Sequence, residues 1–106
     1  MIDALKAILS ELRERFQELY SERLAEMVLY GSQARGDAED GSDIDVLVVL
    51  RGEVNAGQEI SRTSRIVSEI SLQHDVVISC VYMSEARFLH RNGPLLRNIR
   101  REGIRL

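Results

Sequence analysis

Near the start of the chain, apolar residues recur at three- and four-residue steps: Ile2, Leu5, Ile8, Leu9, Leu12, Phe16 and Leu19. This spacing predicts an amphipathic helix that packs on a sheet. Tyr20 to Arg23 reads as a connector, and Leu24 to Tyr30 as a first strand ending at Gly31-Ser32. Gln33-Ala34-Arg35 can begin a helical turn, and Asp37 to Ser42 forms an acidic, Gly-containing loop able to flex. Asp43 to Leu50 is rich in β-branched residues and lies between glycine-containing segments, as a second strand would. Asn55 can cap a helix running to about Gln73, with Ile60, Ile66, Val67 and Ile70 as its apolar stripe and the other face wet. Asp75 to Tyr82 predicts a third strand. Ser84 caps a short helix with Phe88 and Leu89, and Asn92-Gly93-Pro94 breaks it. Pro94 suits the first turn of a last helix carrying Leu95, Leu96 and Ile99, which Gly103 closes.

Helices alternating with strands predict an α/β fold. A length of 106 residues predicts one domain over positions 1–106, and a hydrophobic content of 44% is ordinary for a small core. The net charge of −3 argues against a general or sequence-specific nucleic-acid binder. The single cysteine, Cys80, permits no internal disulfide and sits in an apolar run, which predicts packing rather than reactivity. No stretch reads as a membrane span or a signal peptide, so the expectation is a cytoplasmic protein.

Charge is uneven. Asp37, Glu39, Asp40, Asp43 and Asp45 cluster, whereas Arg87 to Arg105 holds six arginines and one acid, Glu102. The basic tail reads as a solvated helix face or as a surface for an acidic partner or phosphates. Its apolar residues cover the sheet or meet another chain, a second copy included.

The chemistry concentrates between Tyr30 and Leu50. On a strand Asp43 and Asp45 project from one face, with backbones ~6–7 Å apart. Two carboxylates so placed suit hard cations such as Mg²⁺, which takes oxygen ligands from carboxylates and phosphates. Gly31 lets a phosphate approach the backbone, the turn after it offers amides and the Ser32 hydroxyl, and Arg35 adds a forked cation. Phosphate at one end and metal at the other is the chemistry of a nucleoside triphosphate. Each half has a plain alternative, a turn after a strand and a solvated strand end. Like charges entering an apolar strand still need a reason, and a cation supplies one. Tyr30 beside the turn either lines a base pocket or packs at the core edge.

Gly-Ser, ten residues, then Asp-x-Asp, here G-S-Q-A-R-G followed by S-D-I-D-V-L-V-V, resembles the signature of the minimal nucleotidyltransferases of the DNA polymerase β-like superfamily, MntA-type antitoxins included. The resemblance covers most of the chain. It implies a small mixed β-sheet with helices packed mainly on one face. It also implies a third carboxylate on a neighbouring strand, for which Asp75 is the acid that fits. The implied activity is Mg²⁺-dependent transfer of AMP from ATP to a hydroxyl, with Asp43, Asp45 and Asp75 catalytic and metal-binding, and Gly31, Ser32 and Arg35 on the nucleotide. The implied acceptor is a tyrosine of a HEPN-domain toxin. A non-catalytic module that binds nucleotide or neutralises a HEPN protein by contact is the alternative, and an adenylating resistance enzyme with an added domain or dimer is a third.

Overall fold

The computed structural model describes residues 3–106; Ile2 lies outside them. Helix α1 spans Asp3–Tyr20 and buries Leu5, Ile8, Leu9, Leu12 and Phe16, as the three-four spacing predicts. Its last turn differs from expectation: Leu19 is 41% exposed, and Tyr20 takes the inward position. A short 3₁₀ turn at Ser21–Arg23 leads into β1, Leu24–Tyr30. One helical turn, α2 (Ser32–Arg35), separates it from β2, Ile44–Leu50.

Helix α3 spans Ala56–His74, and the Asn55 side chain caps it by accepting the Gln58 N–H at 3.1 Å. The predicted stripe holds at Ile70, which is buried, and at Ile66 and Val67, which pack against the core. It fails at the start of the helix, where Glu59 and Thr63 are buried and Ile60 is 54% exposed. A buried glutamate is invisible to a hydrophobic period.

Strand β3 is Ile78–Ser84, shorter at its start than the predicted Asp75 to Tyr82. Helix α3 runs on to His74, and Asp75 ends it in a left-handed conformation (φ 53°). Then come α4 (Glu85–His90), capped by the Ser84 side chain on the Arg87 N–H, and α5 (Pro94–Glu102), with Pro94 in its first turn. The chain closes with β4, Ile104–Arg105, a two-residue strand the pattern did not mark. Gly103 permits that return: a Cβ there would strike the Ile99 carbonyl and lie 2.6 Å from Val28 Cγ1.

The sheet order is β3-β2-β1-β4. β1 runs antiparallel to β2 and β4, and β2 runs parallel to β3, so the sheet is mixed and the fold α/β. Alternate residues of β2 feed two cores. Val46, Val48 and Leu50 pack with α1 and Ile70 of α3 in the larger cluster. Leu47 and Val49 pack with Val28, Met83, Phe88, Leu96 and Ile99, under α4 and α5, in the smaller one. β2 is buried on both faces, which explains its near-continuous apolar run. Cys80 packs against the larger cluster, and burial pushes its thiol up to about 11. No helix among the described residues is long and apolar enough to cross a membrane.

Candidate active site

Antiparallel pairing of β1 with β2 sets Tyr30 directly across from Asp45. The chain leaves β1 through Gly31, whose φ of +75° belongs to the region only glycine enters freely. The residue also has to be small: a Cβ on Gly31 would lie 2.5 Å from Asp45 Oδ2. The Asp45 carboxylate thus packs directly against the Gly31 backbone. The Ala34 and Arg35 N–H groups both donate to the Gly31 carbonyl at 3.1 Å, closing α2. The Ser32 and Gln33 N–H groups have no intrahelical acceptor, as at any helix start.

Asp43 is exposed just before β2, and Asp45 is half-buried inside it. Burial raises the Asp45 carboxyl above its usual range, the charge of Asp43 raises it further, and the charge of Arg35 opposes both. Tyr30 is also raised, first by burial and then by the Asp45 charge. The site thus holds uncompensated negative charge in a partly dry place. That fits a hard divalent cation held by Asp43 and Asp45, with phosphate or water oxygens completing its shell.

Arg35 is not free. Its Nε donates to Asp37 Oδ2 at 3.1 Å and its Nη1 to Glu102 Oε2 at 3.3 Å, the latter at the far end of α5. These two hydrogen bonds raise its pKa. Nη2 has no hydrogen-bond partner among the described residues. The acidic loop is tethered too: the Ser42 hydroxyl accepts the Glu39 N–H at 3.0 Å, and the Ser42 carbonyl accepts Gln33 Nε2 at 3.4 Å.

Asp75 is exposed at the end of α3 and, with His74, lines a 440 Å³ hollow that Leu5 and Ile8 of α1 share with Gln33 and with Ser42 and Ile44, the neighbours of Asp43. Among the described residues no three His, Cys, Asp or Glu side chains form a metal-binding group. The structure therefore brings Gly31, Asp43 and Asp45 together, with Ser32 and Arg35 alongside, and does not bring Asp75 to them. The β3 residue level with Asp45 is Ser79, and parallel register turns both side chains to the same face. Sequence reasoning missed Ser79 and Glu102. Neither carries a local signal; the strand register and the return of α5 place them.

A nucleotidyltransferase-domain family model matches residues 9–106. Two relatives from Methanocaldococcus jannaschii, each named "Putative protein adenylyltransferase", are 33% identical to this chain: one over 101 residues, 94% of this chain and 91% of the relative, the other over 72 residues, 68% and 72%. Among solved structures, one described as a toxin-antitoxin with AMP-PNP superposes with a TM-score of 0.63 at 17% identity, over 98% of this chain and 72% of that one. At that identity the likeness is one of fold.

Proposed function

The chain belongs to the nucleotidyltransferase domain family and is a nucleotidyltransferase, and from that premise we propose that it moves AMP from ATP to a hydroxyl of a partner protein, a tyrosine of a HEPN-domain toxin. The observation that carries the reading is the Asp43–Asp45 pair at the Gly31 turn, with Asp45 pressed toward neutrality by burial and by its neighbour. The adenylyl group is supported by the names of the two archaeal relatives, and a toxin partner by the description of the solved structure.

Asp43 and Asp45 would hold Mg²⁺. Bound there, the ion would acidify the acceptor hydroxyl and offset charge on the α-phosphate and leaving pyrophosphate. Ser32 and the α2 amides would bind the triphosphate tail, and the free Nη2 edge of Arg35 would add a charged donor. The acceptor hydroxyl gives up its proton to solvent, and its oxygen bonds to the α-phosphorus as the bond to pyrophosphate breaks. Catalysis rests on positioning and electrostatics, as in phosphoryl transfer generally. Asp75 lies outside the grouped acids, so the reading routes no proton through it.

The test is incubation with α-labelled ATP, Mg²⁺ and a HEPN-domain protein encoded beside this chain. Label on a partner tyrosine, lost on Asp43→Asn, is expected. Absence of label with the wild-type protein counts against it.

A second reading, a binding module that neutralises its partner by contact, is favoured by two observations: Asp75 does not join the acids, and two carboxylates already engage Arg35. Neutralisation that survives both Asp43→Asn and Asp45→Asn would select it.

A further inference from the structure

Between Arg87 and Arg105 the chain carries six arginines, and the structure sorts them. Arg105 pairs with Glu26 at 2.7 Å. Arg100 is built into the fold: it donates to the Phe88 carbonyl, to the Arg91 carbonyl at 2.9 Å and to Asn92 Oδ1 at 3.1 Å, with its guanidinium over the Phe88 ring. It thereby binds the end of α4 to α5. Arg87, Arg91, Arg97 and Arg101 are exposed and meet no carboxylate among the described residues. Arg97 and Arg101 are one helical turn apart and share a side of α5.

The joint that Arg100 secures borders a groove of about 640 Å³. Met83, Pro94, Leu95 and Leu96 supply its apolar part, and Arg87 and Arg91 its charge. Leu95 is 42% exposed. The groove and Asp45 lie on the same side of the sheet, since α4 and α5 cover the face that alternation gives to Asp45, Leu47 and Val49. Helix α5 joins them: its Pro94 end borders the groove, and its last residue, Glu102, holds Arg35 beside the site. Nine helical residues span roughly 13 Å, a distance one partner segment can cover.

We propose that the α4–α5 groove docks an acidic, amphipathic segment of the protein that bears the acceptor hydroxyl, with acids on Arg87 and Arg91 and an apolar side chain against Leu95. This rests on the transferase reading and names the partner's chemistry at that site. Charge complementarity selects the occupant. RNA is the less suited polyanion. The groove has no aromatic lining for base stacking, and its apolar part, Met83, Pro94, Leu95 and Leu96, offers nothing to a ribose-phosphate backbone.

The test uses a fluorescein-labelled Glu/Leu peptide carrying one tyrosine, read by anisotropy, with a Gln/Leu peptide and a single-stranded RNA of equal charge as comparators. The acidic peptide should bind best. Arg87→Glu with Arg91→Glu should weaken it about tenfold, while Arg65→Glu, an exposed arginine on α3, leaves it unchanged. AMP-PNP affinity should be the same in all three proteins, and circular dichroism reports folding. If the double reversal does not fold, Arg87→Gln with Arg91→Gln should still weaken binding about threefold. The proposal is overturned if the arginine variants bind the peptide as the wild type does, if Arg65→Glu weakens it equally, or if RNA binds more tightly and loses affinity through the same two arginines. Asp45→Asn separates the two readings: it should end label transfer and leave the peptide bound. A wild type that binds the peptide but leaves the HEPN-domain protein unlabelled defeats the transferase reading alone.

Discussion

Two carboxylates sit at opposite ends of the β1–β2 pair, and the protein treats them in opposite ways. Glu59, 2% exposed, is surrounded: Tyr20 donates to it at 2.8 Å, Arg62 at 3.0 Å and Arg23 at 3.1 Å. Burial by itself would raise its pKa, but the hydrogen bonds from Tyr20 and Arg23 and the charges of Arg23 and Arg62 outweigh it and hold the group below its usual value. Arg23 also donates to the Glu53 carbonyl at 2.6 Å, so the cluster ties the start of β1 to the loop before α3. Asp45 has the reverse arrangement. Its near neighbours are another acid, Asp43, and the bare Cα of Gly31, and its pKa is pushed up. Glu59 is a buried charge with a full set of partners and holds the structure together; Asp45 is half-buried beside a like charge, an arrangement more often found at functional sites than in structural ion pairs.

The contrast can be broken at either end. Asp45→Asn should have the largest effect: transfer falls about 10²–10³-fold, roughly 3–4 kcal/mol of transition-state stabilisation, with no fall in melting temperature. Labelled-nucleotide assays and thermal melts on the same sample check both halves. Glu59→Gln should do the opposite, lowering stability by about 2–3 kcal/mol in urea titrations while the rate per folded molecule holds. Its pH signature has a definite sign. Because the folded pKa is lowered, Glu59 stabilises fully above its unfolded value of about 4.3 and loses that contribution as pH falls through the folded value. The glutamine variant should therefore show a flatter acid limb there.

Gly31→Ala tests the join between turn and carboxylate. The strained φ and the displaced Asp45 should lower stability by about 1–3 kcal/mol and depress transfer as well, whereas alanine at Gly41, where a Cβ has open space, should spare transfer. Arg35→Ala should be smallest, raising the KM for ATP about threefold to tenfold with kcat nearly unchanged. A kcat loss equal to that of Asp45→Asn would move Arg35 from the triphosphate into the chemistry.

The elements were largely legible. The three-four spacing of α1, the caps Asn55 and Ser84, and Pro94 are local signals, and each acts within a few residues of itself. The Gly31–Ser32 and Asp43–Asp45 motif was legible for the same reason: a turn and a strand start carry their chemistry in short spacing. Three features were not. Asp75 reads as a strand residue, yet it caps α3, because a helix end is settled by how far its packing continues. Glu59 reads as a surface residue because its partners, Tyr20 and Arg23, lie 39 and 36 residues away. Arg35 reads as free because Glu102 returns to it across 67 residues.

By itself, then, the order of residues determined the helices and main strands, the family and the acidic pair, since these depend on neighbours in the chain. The tertiary structure alone decided which acids stand together and which are neutralised. A carboxylate's charge state is set by everything within a few ångströms, and most of that comes from remote parts of the chain brought close by the sheet.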